Sequence, residues 1–372
     1  MLSILLFFSW FTNQQYQVMV PIDHQLQDSK KIPITYTIIG DFDKNRESIF
    51  LVDDPLLTWD ELFDIAKGLQ EKWNIVRVHG RQQSEEIKKL VVQNEQVNWK
   101  LAYRFYNQQQ AVMDLEYVRK AIVGDQKIIL LGQGSAAAGL LHYSTNYPES
   151  VSKSVWLSPL ILDVHKNLGF FTPIHKLSRS NALLNPLLLF YFSSQTSLNL
   201  RDLSADESLW GYFSSFLFPN FQYAFLRNVH LEDIATQVRL FEHSYAFGLA
   251  NDQRHPFGNW LREASSDLWV AHQKERFDVY GIRYDQPMEV QEATLILAGK
   301  FDLLVSYHSY EVLSELVRMN KPIIINDGHG LTALHSSGLL PDLIHAFLTN
   351  DAEGKVRVFE EMKRLGLYPA RK

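Results

Sequence analysis

Apolar residues in this chain fall into short continuous runs, separated by stretches in which they recur with helical spacing. Runs of roughly four to eight apolar residues are typical of strands that are buried on both faces. The first two runs flank a polar turn at 23–31, which predicts an antiparallel pair. The predicted strands lie at 16–22, 32–39, 48–52, 74–78, 127–131, 151–157, 293–298 and 322–325.

Between the strands, apolar residues recur every three or four positions, as on one face of a helix. In the second of these stretches Val112, Leu115, Val118 and Ile122 share a face. Alternation of strands and helices predicts an α/β fold with a mostly parallel sheet and helices on both faces. The predicted helices lie at 58–73, 110–123, 135–147, 308–319 and 340–348.

The alternation stops between residues 160 and 286, where the chain is aromatic and helix-like. We interpret residues 160–286 as a helical cap, or lid, inserted into a core formed by 1–159 and 287–372. The apolar stretch at 183–192 is interrupted by Asn185 and Pro186, which predicts a buried or lid helix and no membrane span.

The apolar segment at 2–11 has neither a basic residue before it nor a small-residue cleavage site after it. We expect it to pack on the core or cap of a cytoplasmic protein, with an atypical secretion signal as the alternative.

Composition excludes several classes of protein. The 372 residues are 46% hydrophobic and 21% charged, which excludes a wholly disordered chain. The net charge is −6 and no basic run is present, so we expect no nucleic-acid partner. The chain has no cysteine, which rules out disulfides, thiolate nucleophiles and zinc–thiolate sites.

Residues 128–139 combine an apolar strand, a turn of small residues and a helix. In α/β-hydrolases this turn reads G-x-S-x-G and presents a nucleophile at a strained corner between strand and helix. Downstream, Asp302 follows a late strand and His329 follows the last one. Nucleophile, acid and histidine is the chain order of the α/β-hydrolase triad, in which the acid orients the histidine and the histidine moves the proton. Considered on its own, Asp302 could cap the helical region that follows it, and His329 could be a histidine at the edge of the core.

Three further segments carry a family resemblance: residues 20–24 read V-P-I-D-H, 147–149 read Y-P-E and 241–247 read F-E-H-S-Y-A-F. Together with the turn in 128–139 and with Asp302 and His329, these segments make the chain similar to the proline iminopeptidase (prolyl aminopeptidase) branch of the α/β-hydrolases. The resemblance implies a serine peptidase with no metal or organic cofactor. It also implies that Glu242, with Tyr245 beside it, binds the free amino group of a small peptide or another amine-bearing molecule, although Glu242 could equally be a solvated lid carboxylate.

The turn departs from the family pattern. An ungapped count back from 147–149 places the nucleophile position on Gly134, with Gly132 two residues before it and Ala136 two after. Glycine accepts the positive φ of such a corner without strain. In this register Ser135 begins the helix. A shift of one residue would make Ser135 the nucleophile, with Gln133 at the position where a side chain is hardest to place.

The loop after the third strand also differs from the family. Where relatives carry G-G-P-G, residues 52–56 read V-D-D-P-L, and D-Q-R-G after the fourth strand becomes H-G-R-Q at 79–82. Backbone amides of this oxyanion loop should meet a developing negative charge. The carboxylates of Asp53 and Asp54 would oppose that charge. For His79 the sequence indicates no partner.

Two functions follow from these observations. The first is a proline-iminopeptidase-like protein with weak or lost hydrolysis that binds a small molecule or a peptide N-terminus. The alternative is an active serine aminopeptidase in which Ser135 is the nucleophile, His329 the base and Asp302 the residue that orients it. The sequence gives neither the substrate nor the oligomeric state.

Overall fold

The computed structural model describes residues 14–56, 65, 68–161, 233–246, 261–262, 264–279, 290–300, 302, 305, 307–316 and 320–368. The segments at 2–11 and 183–192, and most of the helix predicted at 58–73, lie outside the described residues.

Eight of the ten described strands form one sheet in the order β1-β2-β4-β3-β7-β8-β9-β10. β2 is antiparallel to β1 and β4, and the remaining neighbours are parallel. This order, with an antiparallel second strand, is that of the α/β-hydrolase fold, so the predicted fold class is confirmed. The strands are β1 Gln14–Pro21, β2 Lys31–Ile39, β3 Ser48–Val52, β4 Asn74–Val78, β7 Ile128–Gln133, β8 Val151–Leu157, β9 Ala293–Gly299 and β10 Ile323–Ile325, with a separate hairpin of β5 Val92–Gln93 and β6 Gln96–Val97.

The central strands are buried on both faces. Phe50 and Val76 belong to one hydrophobic cluster, and their neighbours Ile49 and Ile75 belong to a cluster on the other side. Because helices cover both faces, these strands carry continuous apolar runs. Predicted and observed bounds therefore agree residue for residue for β3, β4 and β8.

The described helices include four of the five predicted ones and several that the sequence pattern did not indicate. Among the helices of the described ranges, none is both long and apolar enough to cross a bilayer. They are α1 Glu85–Val91, α2 Trp99–Tyr106, α3 Gln108–Val123, α4 Gly134–Asn146, α5 Ile234–Ala246, α6 Ser266–Glu275, α7 Tyr307–Leu316, α8 Thr332–Ser336, α9 Leu339–Leu348 and α10 Ala352–Arg364.

Two of these helices, α5 and α6, lie within the stretch predicted to be the cap. Helix α5 packs on the core and on α6: the rings of Phe241 and Tyr103 meet edge to face at 5.7 Å, and those of Phe241 and Trp269 at 5.1 Å. Helix α5 therefore forms a direct contact between the predicted cap and α2 of the core. The division into core and cap remains a prediction.

A buried ion-pair network fixes the turn that follows β1. The Asp114 carboxylate accepts hydrogen bonds from Arg81 Nε and Nη2, each at 2.7 Å, and lies 2.7 Å from His24 Nε2. Arg81 also donates to the carbonyl oxygens of Ile22 and Phe105, at 2.8 and 2.6 Å. The motif at 20–24 thus joins the first hairpin to the chain after β4 and to α3.

Candidate functional site

The corner between β7 and α4 has a glycine at its turning point. Gln133 ends the strand in an extended conformation, and Gly134 begins the helix with a φ of +54°. A Cβ added to Gly132 would lie 2.6 Å from Leu140 Cδ1 and 3.1 Å from Ala137 N. The turn thus has the tight packing of a nucleophile elbow, and the residue with the positive φ carries no side chain.

The hydroxyl next to this glycine has a histidine partner on helix α5. Ser135 is fully buried, and its Oγ lies 2.8 Å from Nε2 of His243. Burial, with a smaller contribution from the charge of Arg239, lowers the pKa of His243 to about 3. The Ser135 hydroxyl is therefore hydrogen-bonded to an imidazole that is neutral at physiological pH.

The structure brings the predicted acid and histidine together. His329 Nδ1 lies 2.7 Å from Asp302 Oδ2, and both side chains are buried. Asp302 Oδ1 accepts a hydrogen bond from Val305 N at 3.0 Å. A Cβ on Gly299, at the end of β9, would lie 2.3 Å from the carbonyl oxygen of Gly328. A glycine at 299 therefore allows the close approach that holds the histidine loop beside Asp302.

A second buried carboxylate, Asp327, orders the loop that carries the histidine. It accepts hydrogen bonds from Gly328 N at 2.8 Å and Leu334 N at 2.9 Å. Burial raises its pKa to about 7, although these backbone donors act in the opposite direction. Asp327 thus positions the backbone on both sides of His329.

The first carboxylate of the oxyanion loop has two partners from β4 and the residue after it. Asp53 accepts a hydrogen bond from Arg77 Nε at 2.7 Å, and its other oxygen lies 2.9 Å from His79 Nδ1. The second ring nitrogen of His79 lies 2.7 Å from Thr37 Oγ1. His79, for which the sequence indicated no partner, thus links β2 to the oxyanion loop.

The second carboxylate of the loop faces helix α5. Asp54 is buried, accepts a hydrogen bond from Leu56 N at 2.8 Å and lies 3.3 Å from Arg239 Nε. Burial raises the pKa of Asp54, against the opposing effect of the Arg239 guanidinium. The loop is thereby connected to α5 through a buried ion pair.

Glu242 already has a partner on each carboxylate oxygen. Oε1 accepts a hydrogen bond from Gln108 N, the first amide of α3, at 2.8 Å, and Oε2 accepts one from Arg239 Nη1 at 2.7 Å. Burial raises the pKa of Glu242 to about 7. Tyr245 is 40% exposed and stacks on Trp269 with ring centroids 5.9 Å apart. Amine binding by Glu242 and Tyr245 remains a prediction.

A cleft of about 540 Å³ lies between the oxyanion loop, the start of α1 and the start of α5. A narrower cavity beside it shares Asp53, Asp54 and Tyr106 and extends to Gln108 and Gly139 on helices α3 and α4. Within the described residues no group of three His, Asp or Glu side chains is placed to hold a metal ion.

The sequence did not indicate that several of these side chains belong to the site. Arg239 and His243 lie on α5 beside the predicted Glu242, yet nothing in their spacing indicates contact with Asp54 or Ser135. His243 stands inside the quoted segment 241–247, so its position next to Glu242 was the one available signal.

Comparison with known proteins matches no family model and no curated protein. Solved structures give distant similarities, three of which span most of both chains. A serine hydrolase from Cycloclasticus zankles is 11% identical, with coverage of 90% of this chain and 98% of the other and a TM-score of 0.47. An α/β hydrolase from a Medee basin deep-sea metagenome library is 14% identical, with coverage of 85% of this chain and 94% of the other and a TM-score of 0.45. A carboxylesterase from Bacillus subtilis is 13% identical, with coverage of 91% of this chain and 93% of the other and a TM-score of 0.43. These likenesses assign no activity or substrate to this chain.

Proposed function

We propose that this chain is a proline-iminopeptidase-like protein that binds a small molecule or a peptide N-terminus and hydrolyses amides weakly or not at all. The observation that carries the proposal is Gly134 at the elbow, where its φ of +54° marks the position that a nucleophile occupies in hydrolases of this fold. Without a hydroxyl or thiol at this position, the Asp302–His329 pair has no nucleophile to activate there.

The neighbouring hydroxyl is poorly suited to replace it. Ser135 is fully buried and hydrogen-bonded to His243, whose pKa of about 3 makes it a weak base near neutral pH. A general base works best when its pKa lies near the pH of the reaction. The contact therefore supports a packing role for Ser135.

The oxyanion loop supports the same proposal. The side chains of Asp53 and Asp54 both line the cleft, next to the place where negative charge would develop in acyl transfer. Loss of one oxyanion donor typically slows such a reaction about a hundredfold or more. A site with carboxylates in the loop and no nucleophile at the turn is better suited to binding a ligand than to hydrolysing it.

The test is turnover and covalent labelling. Purified chain should hydrolyse a prolyl or alanyl chromogenic amide no faster than Ser135→Ala, and a fluorophosphonate should label neither protein at residue 135. Gly134→Ser should acquire slow labelling at the new serine, because its hydroxyl would stand at the nucleophile position. Turnover that Ser135→Ala abolishes, or labelling of Ser135, would overturn the proposal. A folded Gly134→Ser protein that no fluorophosphonate labels would show that Gly134 is not the nucleophile position.

The contact of 2.7 Å between His329 and Asp302 favours one second candidate, an active serine aminopeptidase that uses Ser135. The labelling experiment separates the two, since only this candidate requires reaction at Ser135. We also propose a cytoplasmic location, which fractionation of cells expressing the full chain would test.

A further inference from the structure

The cleft beside the oxyanion loop contains two carboxylates for which the described residues provide no ion-pair partner. Asp53 contacts Arg77 and His79, and Asp54 contacts Arg239. Glu85 and Asp233 also line the cleft, and neither forms an ion pair with a basic group of the described residues. Among the described residues that line it, Lys88 is the one basic side chain.

Asp233 has a structural role that occupies one of its oxygens. Its Oδ2 accepts hydrogen bonds from Thr236 N at 3.1 Å and Thr236 Oγ1 at 3.0 Å, at the start of α5. Oδ1 has no protein donor in the described part of the chain. The charge of Asp233 is thus held at a fixed point of the cleft wall and is available to a ligand.

The largely buried side chain of Tyr106 supplies an independent sign of a ligand. Tyr106 is 6% exposed and lines both the cleft and the adjoining cavity, and its hydroxyl has no hydrogen-bond partner among the residues that the structure describes. Burial raises the pKa of Tyr106, and the negative charges of Asp233 and Glu85 raise it further, against the opposing effect of the Arg81 guanidinium. The hydroxyl therefore lies in the field of both carboxylates, and its oxygen is a neutral acceptor beside them.

Nearby, the side-chain amide of Gln108 is also unsatisfied. Gln108 is 8% exposed and lines the adjoining cavity, and its Nε2 has no acceptor within the described ranges. Buried polar groups without partners are uncommon in native proteins. A ligand that extends from the cleft into the cavity would meet a hydrogen-bond donor there.

We propose that the cleft binds a small organic cation of the primary ammonium type, with the ammonium between Glu85, Asp233 and the Tyr106 hydroxyl. An ammonium group has three donors and no acceptor, which matches two carboxylates and one phenol oxygen. A carbonyl or hydroxyl of the same ligand would accept from Gln108 Nε2. The inference rests on the proposed binding function, and it places the ligand's cation away from Glu242, whose oxygens already accept hydrogen bonds.

Benzylammonium, with benzyl alcohol as its neutral isostere, tests the proposal by ligand-observed NMR titration of the full chain at low salt. We expect saturable millimolar binding of benzylammonium, about tenfold tighter than that of benzyl alcohol, because only the ammonium makes charge-assisted hydrogen bonds. Added salt should weaken binding, since the carboxylates are partly exposed.

Isosteric variants locate the site. Asp233→Asn removes the charge and keeps a residue that caps helices well, so we expect it to fold and to bind benzylammonium about tenfold more weakly. Tyr106→Phe should weaken binding by about fivefold, and Glu85→Gln, at a more exposed position, by about threefold. Glu86→Gln is the matched control, because Glu86 lies on the same helix but does not line the cleft.

Thermal melts of all four variants check that they are folded. Absence of saturable binding to the wild type, equal affinity for the two probes, or wild-type affinity in both Asp233→Asn and Tyr106→Phe would overturn the proposal. Fluorophosphonate labelling of Ser135 would refute the proposed loss of hydrolysis and leave these titrations unaffected, so the two failures are distinguishable.

Discussion

The histidine loop depends on the absence of one side chain at the end of β9. Gly299 faces the backbone of residues 327 and 328, and a Cβ there would lie 2.3 Å from one carbonyl oxygen and 2.6 Å from the other. Both atoms belong to main chain that Asp327 holds in place through its hydrogen bonds. The position of His329 is therefore coupled to a residue that has no chemistry of its own.

We expect Gly299→Ala to destabilise the fold by about 2 kcal/mol or more, because backbone must move to admit the methyl group. Gly124→Ala provides the comparison. Gly124 has a φ of +62° and nothing within 4 Å of an added Cβ, so its cost is backbone strain of about 1 kcal/mol. Urea unfolding of both variants measures the difference, and an equal or smaller cost at Gly299 would contradict the close approach.

At the scale of elements, helix α5 is held to the core by polar contacts beneath its apolar packing. Arg239 contacts Asp54 and Glu242, and Glu242 accepts a hydrogen bond from the first amide of α3. Two carboxylates share one guanidinium here, and no other cation of the described residues contacts either acid. The cluster therefore favours binding of one proton near neutral pH.

This proton makes stability depend on pH. Burial raises the pKa of Glu242 from 4.5 to about 7. A group with a raised folded pKa stabilises the fold fully below its unfolded pKa, and that contribution is lost as the pH rises through the folded pKa. Between about pH 5 and about pH 8, the wild-type free energy of unfolding should fall relative to Glu242→Gln by on the order of 1–3 kcal/mol.

Urea unfolding of both proteins across this range measures the effect, and their difference cancels titration of groups common to both. Glu86→Gln, at an exposed position, should track the wild type at every pH. A pH-independent difference between the wild type and Glu242→Gln would show that Glu242 remains ionised throughout.

The elements differ in how well the sequence predicts them, for a physical reason. β3, β4 and β8 are buried on both faces, so their apolar runs begin and end with the strands. Helix α10 has Val358 and Met362 as its only buried large apolar residues, among many charged side chains. Its apolar pattern is therefore weak, and the sequence did not predict this helix. In the hairpin, Asn94 and Glu95 both adopt positive φ, a conformation for which Glu gives no signal.

The contacts of the candidate site also differ in how well the sequence predicts them. The order of elbow, acid and histidine indicated that Asp302 and His329 would meet, because strand ends of a parallel sheet share one edge. The contacts of Ser135 with His243 and of Asp54 with Arg239 join residues more than a hundred positions apart through helix α5. No periodicity encodes such pairs, so they required the structure.

At the scale of the whole molecule, the network around Asp114 connects elements that are distant along the chain. Asp114 on α3, Arg81 after β4 and His24 after β1 are almost fully buried. Removing the carboxylate would leave a buried guanidinium without its counter-charge, which is the costly way to break a buried pair. The first hairpin has this network as one of its links to the rest of the fold.

We expect Asp114→Ala to lower the free energy of unfolding by about 3–5 kcal/mol. Glu361→Ala is the control, because Glu361 and Arg364 form an exposed pair on α10 whose loss should change stability little. Denaturant titration followed by tryptophan fluorescence and by circular dichroism compares them. Similar costs for the two substitutions would show that the buried network does not stabilise the fold.

The partners of Asp53 and Asp54 determine what a glycine at either position would cost the fold. Asp53 is part of a network with Arg77 and His79, and Asp54 is part of the contact with α5. Replacing either aspartate by glycine would take a counter-charge from a basic partner before any catalytic benefit arose. Under the proposed loss of hydrolysis, a return to an active enzyme by single substitutions would therefore pass through less stable intermediates.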